Sequence, residues 1–184
     1  LAGGLTPWVD LLRQIREVSK ISIRCLMRPR PGDFLYSEEE VLLMQRQICT
    51  LHTAGADGVV VGILTPEGQL DLGRTGLLCK AAEGAGLTLH RAIDVSRDPL
   101  QTWQDAAQLG IDTVLTSGAA ASCLKGQEPI GQLLDLHSKH GGPEILIGAG
   151  VNADVIRGMR KTFPQAVAFH MSGKIEVESR MLFR

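Results

Sequence analysis

The chain has 184 residues, a formal net charge of −1 at pH 7 and 44% hydrophobic residues. This length predicts one domain over residues 1–184 with a sizeable core. The charge balance argues against nucleic acid or an acidic membrane surface as partners, and no apolar run reaches the roughly 20 residues that cross a bilayer.

The cysteines form no C-x-x-C pair, which argues against a zinc ribbon or a thioredoxin-like motif. Isolated cysteines at such spacings indicate reduced, partly buried thiols in a cytosolic protein. The four are Cys25, Cys49, Cys79 and Cys123. Because Leu1 stands where a start methionine would be, we expect the sequence to begin inside a longer chain.

Six apolar runs, each separated from the next by a helix-sized segment, predict six strands. Several of the runs are nearly continuous, as in parallel strands that helices cover on both faces. The runs are ISIRCLM (21–27), GVVVGIL (58–64), LTLHRAI (87–93), DTVLTSG (112–118), EILIGAG (144–150) and AVAFHMS (166–172).

Capping signals mark where helices should begin. Thr6-Pro7 and Asp98-Pro99 each place a capping residue before a proline at the first helical position. Ser37 is followed three residues later by Glu40, the pattern of a capping box, and Asn152 follows the sequence GAG. The helix after Ser37 carries an apolar stripe at the helical period, made of Val41, Met44, Ile48 and Leu51.

Six β-α units in series fit either a doubly wound sheet or part of an eight-stranded barrel. A doubly wound sheet normally shows a Gly-rich nucleotide fingerprint in its first unit, and none is present. A barrel needs about 250 residues. The pattern therefore favours an α/β fold of the TIM-type (β/α)8 barrel class, incomplete here because the first strands lie outside the sequence.

Polar residues recur at the carboxyl ends of the predicted strands, which is the face where barrels build their active sites. Histidine can act as acid, base or metal ligand near neutral pH, and a carboxylate can act as a base. The catalytic candidates are His90, Asp94 and His170, with Arg91, Thr116 and Ser117 nearby in the sequence.

The stretch CLMRPRPGDFLYS places Arg28 and Arg30 directly after the first strand, each before a proline. A residue before proline is held extended, so both guanidinium groups should project to the same side. Such a pair suits a carboxylate or a phosphate, because each guanidinium can bind two oxygens. The alternative is structural, with Asp33 pairing with one of the arginines.

Glycine-rich turns follow the last two predicted strands, at the position where many barrels bind phosphate with backbone N–H groups. Gly148 and Gly150 enclose the first turn, and Ser172-Gly173-Lys174 forms the second. We therefore predict that Gly148, Gly150 and Ser172 complete an anion site with the two arginines. Ordinary strand–helix turns are the alternative.

Several motifs, agreeing in order and spacing, give the chain a specific resemblance. They are GGLTP (3–7), MRPRPGDFLYS (27–37), ADGVVVGILTPEG (56–68), LHRAID (89–94), VLTSG (114–118), GAGV (148–151), FHMSGK (169–174) and MLFR (181–184). With them the chain resembles the CutC family of copper homeostasis proteins over essentially its whole length. Pro31 is a departure, because relatives often have glycine at this position of the loop.

The resemblance implies a TIM-type barrel with two further strands at its start, a cytoplasmic location, self-association into a homo-oligomer, and a role in copper handling with Cu(I) binding. It implies no established reaction. The cysteines linked to Cu(I) in the animal branch lie on the opening strands, so no residue here is assigned as a metal ligand.

Three functions remain open from the sequence. The family resemblance favours a copper-binding homeostasis protein. The residues at the strand ends favour a barrel enzyme that acts on a small anionic or phosphorylated substrate. A non-catalytic assembly protein, in which the polar groups only stabilise loops, is the third.

Overall fold

The computed structural model describes residues 4–173, 175, 177–178 and 180–183. Strands and helices alternate along this part of the chain, as the apolar pattern predicts. The helices are α1 (Val9–Val18), α2 (Glu38–Thr53), α3 (Leu72–Ala81), α4 (Pro99–Gln108), α5 (Gln127–His140) and α6 (Ala153–Thr162), with a 3-10 turn at Arg91–Val95. The strands are β1 (Arg24–Leu26), β2 (Gly58–Val61), β3 (Gly86–Leu89), β4 (Thr113–Thr116), β5 (Glu144–Ile147) and β6 (Ala168–Phe169). Within the same ranges, every helix is too short or too polar to span a bilayer.

The six strands form one parallel sheet in the order β1-β2-β3-β4-β5-β6. A doubly wound sheet reverses its strand order part-way along the chain, whereas strictly sequential order is that of a TIM-type barrel. The barrel prediction is therefore confirmed. Because all strands run the same way, their carboxyl ends share one edge of the sheet.

The strands are shorter than the apolar runs that predict them, and most of their polar ends lie in loops. In the third run, for example, the strand stops at Leu89 and the chain then turns into a 3-10 helix. The sheet faces also differ. Alternate residues such as Val114 and Ile145 are buried under the helices, while Leu115 and Leu146 on the other face are only half-buried.

Three of the four predicted helix starts are confirmed. Ser37 forms a complete capping box, Asp98 accepts hydrogen bonds from two backbone N–H groups of α4, and Asn152 caps α6. The prediction at Thr6 is wrong, because α1 begins at Val9. The Thr6 hydroxyl instead accepts a hydrogen bond from the Arg28 backbone, which ties the segment before α1 to the end of β1.

Two hydrophobic clusters hold the helices to the sheet. One packs β1 and β2 against α1 to α3, and the predicted stripe of α2 lies within it, fully buried. The other packs β3, β4 and β5 against α4 to α6 around Trp103. Leu87, on β3, contacts both clusters and so joins the two halves of the sheet.

The amino edge of the sheet is held by one long side chain. Arg24 extends from β1 across Gly58 and Gly86 and donates hydrogen bonds to Asp112 (2.5 Å) and to Thr88 (2.7 Å). A Cβ atom at position 86 would lie 2.8 Å from the Arg24 guanidinium, and one at position 58 would lie 2.9 Å from its Cγ atom. The two glycines therefore leave the space that Arg24 fills.

Candidate functional site

At the carboxyl edge, the loops after β1, β2 and β3 meet around a stack of three side chains. The ring centroids of Phe34 and His90 are 4.6 Å apart, and the Arg28 guanidinium lies 5.5 Å from the Phe34 ring centroid. A Cβ atom at Gly62 would lie 2.7 Å from the His90 ring, so a glycine is needed there for the histidine to pack. The sheet thus brings together Arg28 and His90, two of the residues that the sequence singles out.

His90 is 5% exposed, and its environment fixes its chemical form. Its Nδ1 atom accepts a hydrogen bond from the Ala92 backbone at 3.1 Å, which places the ring proton on Nε2. Burial lowers the pKa of His90 to about 4, and the nearby Arg28 charge lowers it further in the same direction. His90 is therefore a neutral hydrogen-bond donor near pH 7. Its buried Nε2 atom has no hydrogen-bond partner among the described residues.

Tyr36 presents a second buried polar atom beside the same arginine. The side chain is 2% exposed, and its hydroxyl finds no hydrogen-bond partner in the described part of the chain. Burial raises the pKa of Tyr36, and the charges of Arg28 and Arg30, together with the interaction between the Arg28 guanidinium and the hydroxyl, oppose that rise. We call Arg28, Phe34, Tyr36 and His90 the His90 cluster. The sequence prediction omits Phe34 and Tyr36. Their spacing could have found them, because they lie two positions apart, as Arg28 and Arg30 do, in the same loop.

Arg28 also holds its own loop. Its guanidinium donates to the carbonyl oxygens of Gly32 (2.8 Å) and Gly4 (3.3 Å). These bonds fix the guanidinium against Phe34, where its positive charge reaches both His90 and Tyr36.

Arg30 is bound by two carboxylates. It donates to Glu40 at 2.6 Å and to Asp33 at 3.2 Å, and a third bond reaches the Leu35 carbonyl at 2.6 Å. The Arg30–Asp33 pair is the structural alternative that the sequence allows. An anion at Arg30 would have to compete with both carboxylates, so the share of Arg30 in the predicted anion site stays a prediction.

A second polar cluster joins the ends of β3 and β4. The Asp94 carboxylate accepts hydrogen bonds from the Arg91 guanidinium (2.6 Å), from the side chains of Thr116 (2.5 Å) and Ser117 (2.8 Å), and from the backbone N–H groups of Ser117 (3.0 Å) and Ala119 (3.1 Å). We call these five residues the Asp94 cluster. The loop that supplies the backbone donors has positive φ at Gly118 and Ala119.

The Asp94 side chain is 3% exposed. Burial alone would raise the pKa of this carboxyl, but the hydrogen bonds from Thr116, Arg91 and the backbone outweigh burial and lower the pKa below its usual value. Asp94 therefore stays ionised at neutral pH with its oxygens occupied. Such a carboxylate suits the fixing of a loop better than the abstraction of a proton.

The turn after β5 contacts the loops on both sides of it. The Gly148 N–H group donates to the Thr116 carbonyl (2.8 Å), the Ala149 carbonyl accepts from Cys123 (3.0 Å), and His170 donates from its backbone to Ile147 (2.8 Å). Ala149 and Gly150 both have positive φ. The His170 and Ser172 side chains are exposed, and Lys174 lies outside the described residues. Their predicted roles stay predictions.

The described residues do not assemble a metal site. They contain no group of three or more histidine, cysteine or acidic side chains that could hold a metal ion. The four cysteines are unpaired thiols on separate elements: Cys25 in β1, Cys49 in α2, Cys79 in α3 and Cys123 in the loop after β4. Burial raises the pKa of Cys25, of Cys123 and, to about 11, of Cys79, which disfavours the thiolate that binds metal.

Comparison with known proteins decides the family. The model of the CutC family matches residues 1–175. The chain belongs to the CutC family. Family protein CutC of Vibrio parahaemolyticus is 40% identical over 184 residues, which is 98% of this chain and 73% of the relative. Family protein CutC of Xanthomonas campestris pv. campestris is 42% identical over 181 residues, with 97% and 73% of the two chains covered.

A solved member of the CutC family has the same fold. The crystal structure of CutC from Streptococcus agalactiae, which carries the name copper homeostasis protein, superposes with a TM-score of 0.84 at 25% sequence identity. The match covers 91% of this chain and 82% of that one. The family and barrel architecture that the motifs imply are thus confirmed.

Proposed function

We propose that this CutC chain binds a small anionic molecule at the carboxyl edge of its sheet, within the His90 cluster. The observation that carries the proposal is the buried Nε2 atom of His90, which has no hydrogen-bond partner among residues that the structure describes. A buried donor without a partner costs about 1–3 kcal/mol, and a ligand that accepts a hydrogen bond from it would recover that cost.

The surroundings of His90 favour an anion as that ligand. The Nε2 atom and the Tyr36 hydroxyl are both donors, and the Arg28 charge acts on both residues. A neutral imidazole can also donate to a carbonyl oxygen on which negative charge develops, which is how such a site would serve an enzyme. Arg28, Gly148, Gly150 and Ser172 remain part of this proposal as ligand contacts, and Arg30 joins them only if a ligand displaces Asp33.

Titration of the intact protein with sulfate, phosphate and acetate tests this function, with the imidazole nitrogens of His90 followed by 15N NMR. We expect a saturable shift of the Nε2 resonance with at least one anion. His90→Gln should weaken that binding by roughly tenfold or more, since a hydrogen bond to a charged group contributes about 1.5–3 kcal/mol. His140→Gln, on the exposed end of α5, is the matched control. Equal binding by His90→Gln and wild type would place the site elsewhere.

Copper handling with Cu(I) binding is the second candidate, and the name of the Streptococcus agalactiae relative favours it. The side chains present here fit that ion poorly, because the thiols stand on separate elements and the described residues form no three-ligand group. We therefore expect only weak binding when the chain competes with a Cu(I) chelator. Tight one-to-one binding would favour copper as the cargo instead. A cytoplasmic location and a homo-oligomer complete the proposal, on the strength of the family resemblance.

A further inference from the structure

We infer that Asp94 is a positioning residue for His90. By fixing the 3-10 turn at Arg91–Val95, Asp94 holds the His90 ring in the orientation that makes its Nε2–H group the donor of the site. This inference rests on the proposed function, because it names a residue that prepares the donor of the same site. It also gives the Asp94 cluster a role beyond stability.

The orientation of the His90 ring depends on the turn that follows it. His90 is the residue immediately before the turn, and its Nδ1 atom accepts a hydrogen bond from the Ala92 N–H group inside the turn at 3.1 Å. The hydrogen bond at one ring nitrogen decides which nitrogen carries the proton. If the turn opened, Ala92 would leave the ring, and nothing in this bond would then fix the position of the Nε2–H group.

Packing alone leaves two orientations of the ring. The ring contacts Phe34, at 4.6 Å between centroids, and Gly62, where a Cβ atom would lie 2.7 Å from the ring carbon Cε1. These contacts restrain the plane of the ring, but a half-turn about the Cβ–Cγ bond keeps the plane and exchanges Nε2 with a carbon. The bond from Ala92 selects the observed orientation, because a flipped ring would present a carbon to that N–H group.

The turn is weakly held by its own backbone. A 3-10 helix has poorer hydrogen-bond geometry than an α-helix, and runs longer than roughly three or four residues are uncommon. The bond that begins this turn, from the Ile93 N–H group to the His90 carbonyl, is 3.5 Å long, and the bond that ends it, from Ser96 to the Ile93 carbonyl, is 3.3 Å long. Both exceed the usual range of about 2.7–3.2 Å, so the turn needs support from outside.

That support comes from Asp94, near the end of the turn. Its carboxylate accepts hydrogen bonds from the Thr116 hydroxyl (2.5 Å), the Ser117 hydroxyl (2.8 Å) and the backbone N–H groups of Ser117 (3.0 Å) and Ala119 (3.1 Å). Arg91, at the start of the turn, donates to the Ser117 hydroxyl at 2.7 Å. Each of these bonds is shorter than the two that begin and end the turn, and together they tie the turn to the end of β4.

Selective 15N labelling of histidine reads the His90 ring directly. Long-range 1H–15N NMR spectra of the intact protein distinguish protonated from unprotonated ring nitrogens, and the signals lost in His90→Gln identify this ring among the five histidines. In the wild type at pH 7.5 we expect the proton on Nε2 and an Nδ1 shift typical of a nitrogen that accepts a hydrogen bond. A proton on Nδ1 would overturn the inference without any variant of Asp94.

Asp94→Asn should release the ring. We expect Nδ1 to lose the shift caused by Ala92, and the pKa of His90 to rise from about 4 toward the value of about 6.5 found in an unfolded chain. The direction is diagnostic, because removing a negative charge would by itself lower a histidine pKa. Anion affinity should fall several-fold in the same variant. Unchanged His90 signals in a folded Asp94→Asn protein would overturn the inference and show that the burial of Ile93 holds the turn.

Leu133→Ala is the matched control for lost stability. Leu133 is fully buried in the cluster around Trp103, and it lies on α5, which supplies no donor to Asp94. Its truncation leaves a cavity and destabilises the protein. We expect the His90 signals and the anion affinity of this variant to match the wild type. Equal changes in Leu133→Ala and Asp94→Asn would overturn the inference, because they would reflect a general loosening of the fold.

Thr116→Val decides the question if Asp94→Asn does not fold. It removes one donor to Asp94, so the His90 signals should move in the same direction by a smaller amount. Unchanged signals in a folded Thr116→Val protein would overturn the inference. The anion titration keeps the two claims separate. If no anion binds the wild type, the proposed function falls, while a response of the His90 ring to Asp94→Asn still supports the positioning role.

Discussion

The Asp94 cluster and the His90 cluster lie at the same edge of the sheet, but they differ in how completely their buried polar atoms are hydrogen-bonded. Asp94 accepts hydrogen bonds from Arg91 in the 3-10 turn after β3, from Thr116 at the end of β4, and from the loop that follows β4. In the His90 cluster, two buried polar atoms, on Tyr36 and His90, have no partner in the described structure. A cluster whose buried polar atoms are all hydrogen-bonded indicates a structural role. Buried polar atoms without partners lower the stability of the ligand-free protein, and a ligand that binds them can restore it.

The largest expected effect on stability comes from a substitution in the Asp94 cluster. Asp94→Asn places an amide where several donors converge and leaves Arg91 without its carboxylate. We expect the free energy of unfolding to fall by about 3 kcal/mol, measured by chemical denaturation. Asp154→Asn is the matched control, because Asp154 also pairs with an arginine three residues away but its side chain is 86% exposed. That control should change stability by less than about 0.5 kcal/mol. Equal effects at both sites would show that the Asp94 cluster is not structural.

The pH dependence of stability tests the neutral state of His90. An unfolded histidine binds a proton near pH 6.5, whereas His90 in the folded protein binds one only near pH 4. Between these values the unfolded chain holds more protons, so the free energy of unfolding should fall by roughly 3 kcal/mol as the pH drops through this window. Above pH 6.5 the His90 contribution is constant.

His90→Gln should flatten that part of the stability profile, and His140→Gln should leave it in place. Asp94 does not obscure the result, because its lowered pKa confines its own contribution to pH values below about 4. A profile for His90→Gln that parallels the wild type from pH 6.5 to pH 4 would mean that His90 is protonated in the folded state.

Arg28→Ala tests the predicted anion contacts and is the next effect in size. We expect it to weaken binding of the preferred anion by roughly tenfold or more, because it removes the cation of the His90 cluster. Arg157→Ala, on the exposed face of α6, should have no effect. Alanine substitution of Ser172 tests whether the loop after β6 reaches the same ligand. Unchanged anion affinity in both Arg28→Ala and Ser172→Ala would mean that neither side chain contacts the ligand. Arg28 would then only hold its own loop through the Gly4 and Gly32 carbonyl oxygens.

The smallest expected effects come from removing two hydroxyl groups, one in each cluster. The two substitutions should change the free energy of unfolding in opposite directions. Removing the unpartnered hydroxyl with Tyr36→Phe should raise the free energy of unfolding of the ligand-free protein by about 1 kcal/mol. Removing a bonded one with Thr116→Val should lower it by about 1–2 kcal/mol, because Thr116 donates to Asp94 at 2.5 Å. Thermal and denaturant unfolding of the two variants measure the difference. Destabilisation by both would contradict the contrast between the clusters.

The sequence predicts the scaffold of this site well, for a physical reason. Strand order and capped helices depend on local patterns, such as the stripe of α2 and the capping box at Ser37, and these appear in the structure as expected. The common carboxyl edge follows from parallel strands alone. The start of α1 is mispredicted because Thr6 bonds to Arg28, a partner 22 positions away that no local pattern shows.

The hydrogen bonds and ion pairs of the candidate site are less predictable from sequence, because each polar group has several possible partners and only the folded structure shows which one lies closest. The sequence marks Glu40 only as part of a capping box, but it also binds Arg30. Asp94 appears as a possible base, and its donors from the loop after β4 become visible only in three dimensions. The unpartnered atoms of Tyr36 and His90 are equally invisible, because a missing bond leaves no trace in a sequence.

The Arg24 side chain at the opposite edge has a consequence for how this sequence can vary. Arg24 lies across two glycines on neighbouring strands and ends at Asp112 beside a third strand. Enlarging Gly86 would meet the guanidinium at 2.8 Å, whereas shortening Arg24 would leave the Asp112 carboxylate without its cation and a gap above both glycines. Changes at positions 24, 86 and 112 are therefore tolerated together and opposed singly. Position 58 is different, because a Cβ atom there would clash with the Gly86 carbonyl oxygen whatever residue stands at position 24. In a set of related sequences, positions 24, 86 and 112 should vary as a unit, while position 58 should stay glycine.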